Sequence, residues 1–316
     1  MIDWSSAKVT VTGGAGFLGR FVCDKLRQRG CRHICVPRSA AYDLTTEVGV
    51  RRMYDDFAPD VVIHLAAEVG GIGANRKHPG RFYYSNMAMG LLLIEEARIR
   101  GLQKFVFTGT VCAYPKFAPV PFQEQDIWNG YPEETNAPYG VAKKSLFVML
   151  DGYKREYGLN SAVAVPVNLY GPGDNFDLQS SHVIPALIRK CVDAASNGDR
   201  RMTCWGSGEA SREFLFVEDA AEGVLRIAEA IDEPTPINLG TGREIKIRDL
   251  VALIAKLTGF FGEIEWDTRQ PDGQPRRCLD TSLASRLLNW HAQTGVEDGL
   301  RKTIDWYCMH RQRNAA

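Results

Sequence analysis

Short apolar runs alternate with longer segments whose apolar positions recur at helical spacing through the first half of this chain. Lys8 to Thr12 is a β-rich run that ends at Gly13-Gly14-Ala15-Gly16-Phe17-Leu18-Gly19. Phe21, Val22 and Leu26 then follow at helical spacing up to Gly30. A second strand is expected at His33 to Val36 and a helix near Glu47 to Phe57. Val61-Val62-Ile63-His64-Leu65 comes next, apolar enough for a strand covered on both faces. A helix from Asn86 to Arg100, a strand from Lys104 to Thr108, a helix from Tyr139 to Tyr157 and a strand from Ser161 to Val167 continue the series. This alternation predicts an α/β fold built on a doubly wound parallel sheet with right-handed crossovers.

After Asn168 the pattern changes. Gly171-Pro172-Gly173-Asp174-Asn175 marks a break, a helix is expected from His182 to Ala194, and shorter elements fill the rest. The division that follows is a dinucleotide-binding domain at 1–167 and a smaller α/β substrate domain at 168–316. Residues 213–230 are expected to return to the first domain as one more strand and helix of its sheet. The stretch from Gly109 to Pro138 is rich in proline and aromatic residues and too long for a mere connector, so it is expected to line the site.

Composition narrows the classes. Thirty-eight basic residues balance thirty-eight acidic ones, which leaves no net field to hold nucleic acid or an acidic membrane surface. No stretch approaches the roughly 20 apolar residues that span a bilayer, and Met1-Ile2-Asp3-Trp4 has neither a basic start nor an apolar core. A soluble cytoplasmic protein is expected. The cysteines are scattered, as reduced thiols are, rather than dense as in disulfide scaffolds. Cys31, His33 and Cys35 alternate along a strand with no second ligand pair, so no metal site is expected.

Glycines 13, 16 and 19 form G-x-x-G-x-x-G between a strand and a helix, a turn in which absent side chains let backbone approach a pyrophosphate. A Rossmann-type cofactor site is the expectation, with Phe17 and Leu18 inside the turn and Leu65, Ala66 and Ala67 after the third strand. The end of the second strand reads Val36-Pro37-Arg38-Ser39, with no acidic residue for a ribose 2′-hydroxyl. Arg38 offers a guanidinium to a 2′-phosphate, while Asp43 and Leu44 stand nearer the adenine edge. NADP(H) is therefore favoured, and NAD(H) is left open.

Tyr139 and Lys143 stand four residues apart, so a helix stacks them on one face, where an ammonium can stabilise a tyrosinate. Thr110 follows the fourth strand, at the carboxyl end of the sheet where ligands bind in open α/β folds. Taken alone, Cys112 reads equally as a small buried hydrophobe and His182 as a helix cap.

The glycine turn, Thr110, Tyr139 and Lys143 together resemble the extended short-chain dehydrogenase/reductase family over essentially the whole chain. Finer segments are similar to those of the GDP-fucose synthases within it: Val69-Gly70-Gly71-Ile72, Cys112-Ala113-Tyr114-Pro115-Lys116, Asn168-Leu169-Tyr170-Gly171-Pro172, Ser181-His182-Val183-Ile184-Pro185, Trp205-Gly206-Ser207-Gly208, Arg212-Glu213-Phe214-Leu215 and Pro271-Asp272-Gly273. The resemblance implies NADPH-dependent 3,5-epimerisation and 4-reduction of a GDP-linked 4-keto-6-deoxy-sugar. By the same resemblance Cys112 and His182 serve as base and acid, and Tyr139 gives a proton to the C4 oxygen. Thr110 holds that oxygen, and Lys143 orients the ribose. Asn168, Leu169 and His182 lie near the nicotinamide, while Asn168, Arg189, Lys190, Trp205, Arg212, Asp272 and Arg277 surround the nucleotide sugar. A homodimer through helices of the cofactor domain is also implied. The chain departs from the usual pattern with Ala15 for Arg, Glu68 for Lys, Thr110 for Ser and Arg277 for Lys. Two other readings stand beside this one: a nucleotide-sugar 4-epimerase that retains NAD, and a non-catalytic NADPH-binding regulator.

Overall fold

The computed structural model describes residues 2–178, 180–270 and 272–315; Met1 and Pro271 lie outside them. In the first half the elements are β1 (Lys8–Thr12), α1 (Phe17–Gln28), β2 (His33–Cys35), α2 (Glu47–Phe57), β3 (Val61–His64), α3 (Ile72–Lys77), α4 (Pro79–Ile99), β4 (Lys104–Thr108), α5 (Ala137–Tyr157) and β5 (Ser161–Pro166). The second half holds β6 (Asn168–Tyr170), α6 (Val183–Asn197), β7 (Arg201–Trp205), β8 (Ser211–Phe216), α7 (Val217–Ala230) and β9 (Pro236–Leu239). It closes with β10 (Glu244–Lys246), α8 (Ile247–Thr258), β11 (Glu263–Asp267), α9 (Ser282–Leu288) and α10 (Val296–Ala315).

Six strands pair in parallel in the order β2-β1-β3-β4-β5-β9. Every residue of β3, β4 and β5 is buried, as expected of parallel strands with helices on both faces. The order reverses between β1 and β3, and the crevice beyond the carboxyl ends there is where such sheets bind ligands.

Residues 213–230 return only in part. α7 does pack on α1, where Arg29 holds Glu222 and Glu229 at 2.7 Å each. β8 instead sits between β6 and β10 in a separate three-stranded sheet, and β9 completes the main one. Only Val167 separates β5 from β6, and it is β6, outside the main sheet, that gives β8 a parallel partner of its own. α4 also begins seven residues earlier than the apolar pattern suggests, at Pro79, whose missing N–H and fixed φ suit a first helical position.

The long segment between β4 and α5 is ordered by short 3₁₀ turns at Val111–Ala113 and Glu124–Trp128 and by one buried amide. Asn238 of β9 accepts from the Tyr114 hydroxyl at 2.7 Å and donates to the carbonyls of Phe122 and Asp280 at 3.0 and 3.1 Å. Cys31 is buried beside the Ala7 carbonyl while His33 is exposed, so the expected alternation does not gather the two. Among the described residues no helix is long and apolar enough to cross a membrane.

Candidate active site

The glycine turn is forced by close contacts. Gly13 has φ +71°, and a Cβ there would stand 2.7 Å from the Ala66 nitrogen. Gly19 packs so tightly on Gly13 and Gly14 that any side chain would overlap their backbone. Gly16 caps α1 without a side-chain hydrogen bond, and no acidic residue occupies the first turn, which Phe17 and Leu18 open. The free N–H groups and the positive end of the helix dipole therefore fit a dinucleotide pyrophosphate. Leu65, Ala66 and Ala67 leave β3 beside this turn, tied by Thr12, whose hydroxyl pairs with His64 at 2.7 Å and accepts from the Ala66 N–H at 3.4 Å.

Arg38 is exposed, and its guanidinium has no side-chain partner among the described residues. Asp43 is engaged locally. Its carboxylate accepts from the Thr45 hydroxyl at 2.6 Å and the Thr45 N–H at 3.0 Å, bonds that hold it below the usual carboxylate range and shape the entry to α2. Leu44 is buried next to it.

At the end of β4 the Thr110 hydroxyl accepts from the Cys112 N–H at 3.1 Å, fixing the turn that carries the half-buried thiol. α5 lies directly on that turn because Gly140 has no side chain. Tyr139 is thereby buried against both. Burial and the neighbouring Cys112 push its phenol well above the ordinary value, and the Thr110 hydroxyl pulls it back in part. Lys143 shares the helix face but not the expected contact. Its ammonium donates to the Thr108 carbonyl at 3.0 Å and sits 4.6 Å from the centre of the Phe107 ring, and burial pushes it down to about 7. The spacing leads to a bond from the Lys143 ammonium to the Thr108 carbonyl rather than to the Tyr139 hydroxyl.

His182 precedes α6 but makes no capping bond, so the helix-cap reading fails. The side chain is exposed at the surface, and desolvation by the surrounding protein pushes its imidazole below the ordinary value. Asn168 and Leu169 open β6, with the Asn168 amide donating to the Glu213 carbonyl at 3.0 Å.

Arg212 and Arg277 stand close enough that desolvation first, and Arg277 second, push the Arg212 guanidinium down to about 10. Two neighbouring guanidinium groups suit an anion. Arg212 donates to the carbonyls of Ser211 and Asp272, at 2.7 and 3.1 Å. Trp205 is 65% exposed, with the Lys190 ammonium 6.0 Å from its ring centre. Lys190 also donates to the Thr203 carbonyl at 3.1 Å, and Arg189 donates to the Phe176 carbonyl at 3.1 Å. Asp272 is taken up by the Trp205–Gly208 turn: its oxygens accept from the Ser207 N–H and hydroxyl at 2.7 and 2.8 Å. Glu68 forms a two-pronged pair with Arg81 at 2.9 and 2.5 Å, which neutralises its carboxylate.

Sequence reasoning passes over several residues. Glu213 is fully buried, and burial raises its carboxyl pKa, opposed by hydrogen bonds from the Leu279 and Gly242 N–H groups at 2.7 Å each and from Thr241. Gln274 is buried, donates to the Lys116 carbonyl at 2.8 Å and accepts from Arg277. A polar residue in a loop carries no mark of burial, so only the tertiary structure reveals it. Asp174 is also crowded, with one carboxylate oxygen unpartnered, and burial pushes its pKa up to about 7.

The model of the NAD dependent epimerase/dehydratase family matches residues 9–240. GDP-L-fucose synthase 1 of Arabidopsis thaliana is 37% identical over 303 residues, covering 96% of this chain and 93% of that protein. A GDP-L-fucose synthetase of Naegleria fowleri, solved bound to NADP, superimposes with a TM-score of 0.89 at 26% identity, over 98% of this chain and 94% of that one. A GDP-6-OMe-4-keto-L-xylo-heptose reductase of C. jejuni superimposes with a TM-score of 0.91 at 25% identity, over 97% and 99%.

Proposed function

The chain belongs to the NAD dependent epimerase/dehydratase family, and we propose that it is an NADPH-dependent epimerase and reductase of a GDP-linked 4-keto-6-deoxy-sugar. One observation carries this reading beyond the family: Thr110, Cys112 and Tyr139 converge on the end of β4 near a buried Lys143, at the same carboxyl-end side of the parallel sheet as a glycine turn whose open N–H groups suit a pyrophosphate. Gly13, Gly16 and Gly19, with Phe17 and Leu18, would hold that pyrophosphate. Arg38 would take the 2′-phosphate, and Leu65 to Ala67 with Asn168 and Leu169 would flank the nicotinamide. The bound dinucleotide supplies the hydride for reduction at C4.

The chain's own residues handle the protons. A C4 ketone acidifies the hydrogens on C3 and C5, so the Cys112 sulfur takes a proton from one face and His182 returns one to the other. Inverting both centres this way leaves the oxidation state unchanged. Tyr139, kept protonated by its buried surroundings, then donates to the C4 oxygen while Thr110 holds that oxygen in place. Arg212 and Arg277, with Arg189, Lys190 and Trp205 at the rim, face the nucleotide diphosphate, and Asp272 acts by fixing the Trp205 turn.

In this reading residues 1–167 with α7 and β9 form the cofactor unit, and the rest forms most of the substrate unit. Exposed Tyr84, Leu91 and Val148 on the packed helices α4 and α5 support a homodimer through that face. All eight cysteines are unpaired, which supports a cytoplasmic setting. A panel of nucleotide 4-keto-sugars with NADPH and with NADH, products assigned by NMR, tests the proposal. Stoichiometric loss of NADPH with a GDP-linked keto-sugar is expected. Product formation without cofactor consumption would instead identify an epimerase that retains its nicotinamide.

A further inference from the structure

We propose that Gln274 is a positioning residue for Cys112, acting through Arg277; this rests on the reading of Cys112 as the base. The Gln274 side chain lies buried between the Lys116–Pro132 part of the site loop and the arm that carries Arg277. Its amide nitrogen donates to the Lys116 carbonyl at 2.8 Å. Its amide oxygen accepts from Nε and Nη2 of Arg277 at 3.3 and 3.2 Å. The orientation of the amide is fixed by these partners, because turning it over would set its NH₂ against the guanidinium and its oxygen against a carbonyl.

The consequence is directional. One edge of the Arg277 guanidinium is held, and the remaining nitrogen, Nη1, is presented to the Cys112 sulfur at 3.9 Å. The resemblance places Arg277 only around the nucleotide diphosphate, and its contact with the thiol gives it a second task. Proton removal breaks the C–H bond beside the ketone and forms S–H, and the bonding pair passes to the C4 oxygen as an enolate. The sulfur must carry a negative charge before that step and lose it in the step. A cation held at a fixed distance supports the charged sulfur, while a freely rotating one would pair with the diphosphate alone. Gln274 therefore divides the guanidinium between two anions, and the backbone bond from the Glu213 N–H to the Arg277 carbonyl at 3.1 Å anchors the arm from below.

The experiment uses full-length protein with Gln274→Met, Gln274→Glu, Arg277→Gln and Cys112→Ser. Two rates are read without nucleotide turnover: alkylation of Cys112 by iodoacetamide, followed by peptide mass spectrometry, and deuterium uptake at C3 and C5 of the keto-sugar in heavy water. Gln274→Met should slow both about tenfold, the scale expected on freeing a charged hydrogen-bonding partner, with NADPH affinity unchanged. Gln274→Glu, which grips the guanidinium but neutralises it and sets an oxygen against the Lys116 carbonyl, should stay slow in alkylation like Gln274→Met. If Gln274→Met does not fold, Arg277→Gln replaces it and should slow alkylation of the sugar-free enzyme to the same degree. Wild-type alkylation in the variants, or a loss confined to GDP affinity, overturns the inference. Should Cys112→Ser retain deuterium uptake, the reading of Cys112 as base fails instead.

Discussion

Gly140 lies so close beneath Cys112 that a methyl group on it would overlap the Cys112 carbonyl oxygen. The Tyr139 helix and the turn carrying the thiol are thus one rigid piece. Alanine is the better helix former by about 1 kcal/mol, yet here the obstacle is backbone, which no rotamer change relieves. Overpacking of this kind costs about 1–3 kcal/mol. Gly140→Ala should lower the unfolding midpoint and reduce turnover more than NADPH binding, as read by thermal melts and cofactor titration. A higher midpoint with full activity would show that the two elements move apart freely.

Tyr139→Phe removes the proton donor and leaves the ring. Positioned acid catalysis contributes about 10²- to 10⁴-fold, so NADPH oxidation should fall by that order while cofactor affinity stays within about twofold. The burial that raises the Tyr139 phenol also keeps it protonated across the neutral range. Turnover by the phenylalanine variant at the wild-type rate would remove Tyr139 from the reaction.

Lys143 makes a prediction about pH. Burial holds its ammonium down at about 7, against 10.5 for an unburied lysine. Between those values the unfolded chain carries a proton that the folded chain lacks, so raising the pH favours the folded state. Stability attributable to Lys143 is complete above the unfolded value, is lost progressively as pH falls below it, and is fully lost once pH has fallen through about 7. The slope for one proton is at most about 1.4 kcal/mol per pH unit. Denaturant unfolding of wild type and of Lys143→Met from pH 6 to pH 10 isolates it as the difference between the two curves. Parallel curves would mean that the ammonium stays charged.

Arg38 is exposed and without a side-chain partner among the described residues, so whatever it binds is screened by water. Arg38→Ala should weaken NADPH about tenfold at low salt and leave NADH unchanged, the scale of a solvent-exposed charged hydrogen bond. Equal weakening of both dinucleotides, measured by fluorescence titration, would separate Arg38 from the 2′-phosphate.

Much of the cofactor half is legible in the order of residues alone. Glycine spacing, strand alternation and the Tyr139–Lys143 interval report local geometry, and local geometry is what periodicity encodes; β4 and α2 fall where the pattern puts them. What escapes is set by partners far away in the chain. The apolar pattern puts β8 in the wrong sheet because its partners, β6 and β10, are short strands of three residues each that lie far from it along the chain. Helical spacing aims the Lys143 ammonium at Tyr139, but a backbone carbonyl from β4 claims it. The bonds Asp43 makes to Thr45 and Asp272 makes to Ser207 are not visible in the sequence, the second because its partner lies far away in the chain. Gln274 gives no signal, because burial of a loop amide follows only from the fold.

The placement of β9 has a consequence for how the molecule is made. β5 ends at Pro166, and its outer neighbour begins at Pro236, after the whole of the intervening excursion. While a ribosome is still translating that stretch, β5 is the border of an unfinished sheet, with bare N–H and carbonyl groups able to pair with another nascent chain. Closure of the border waits on long-range contacts that form slowly. Fragments ending before Leu239 should therefore aggregate rather than fold, even though they contain every residue of the glycine turn and the Tyr139 helix.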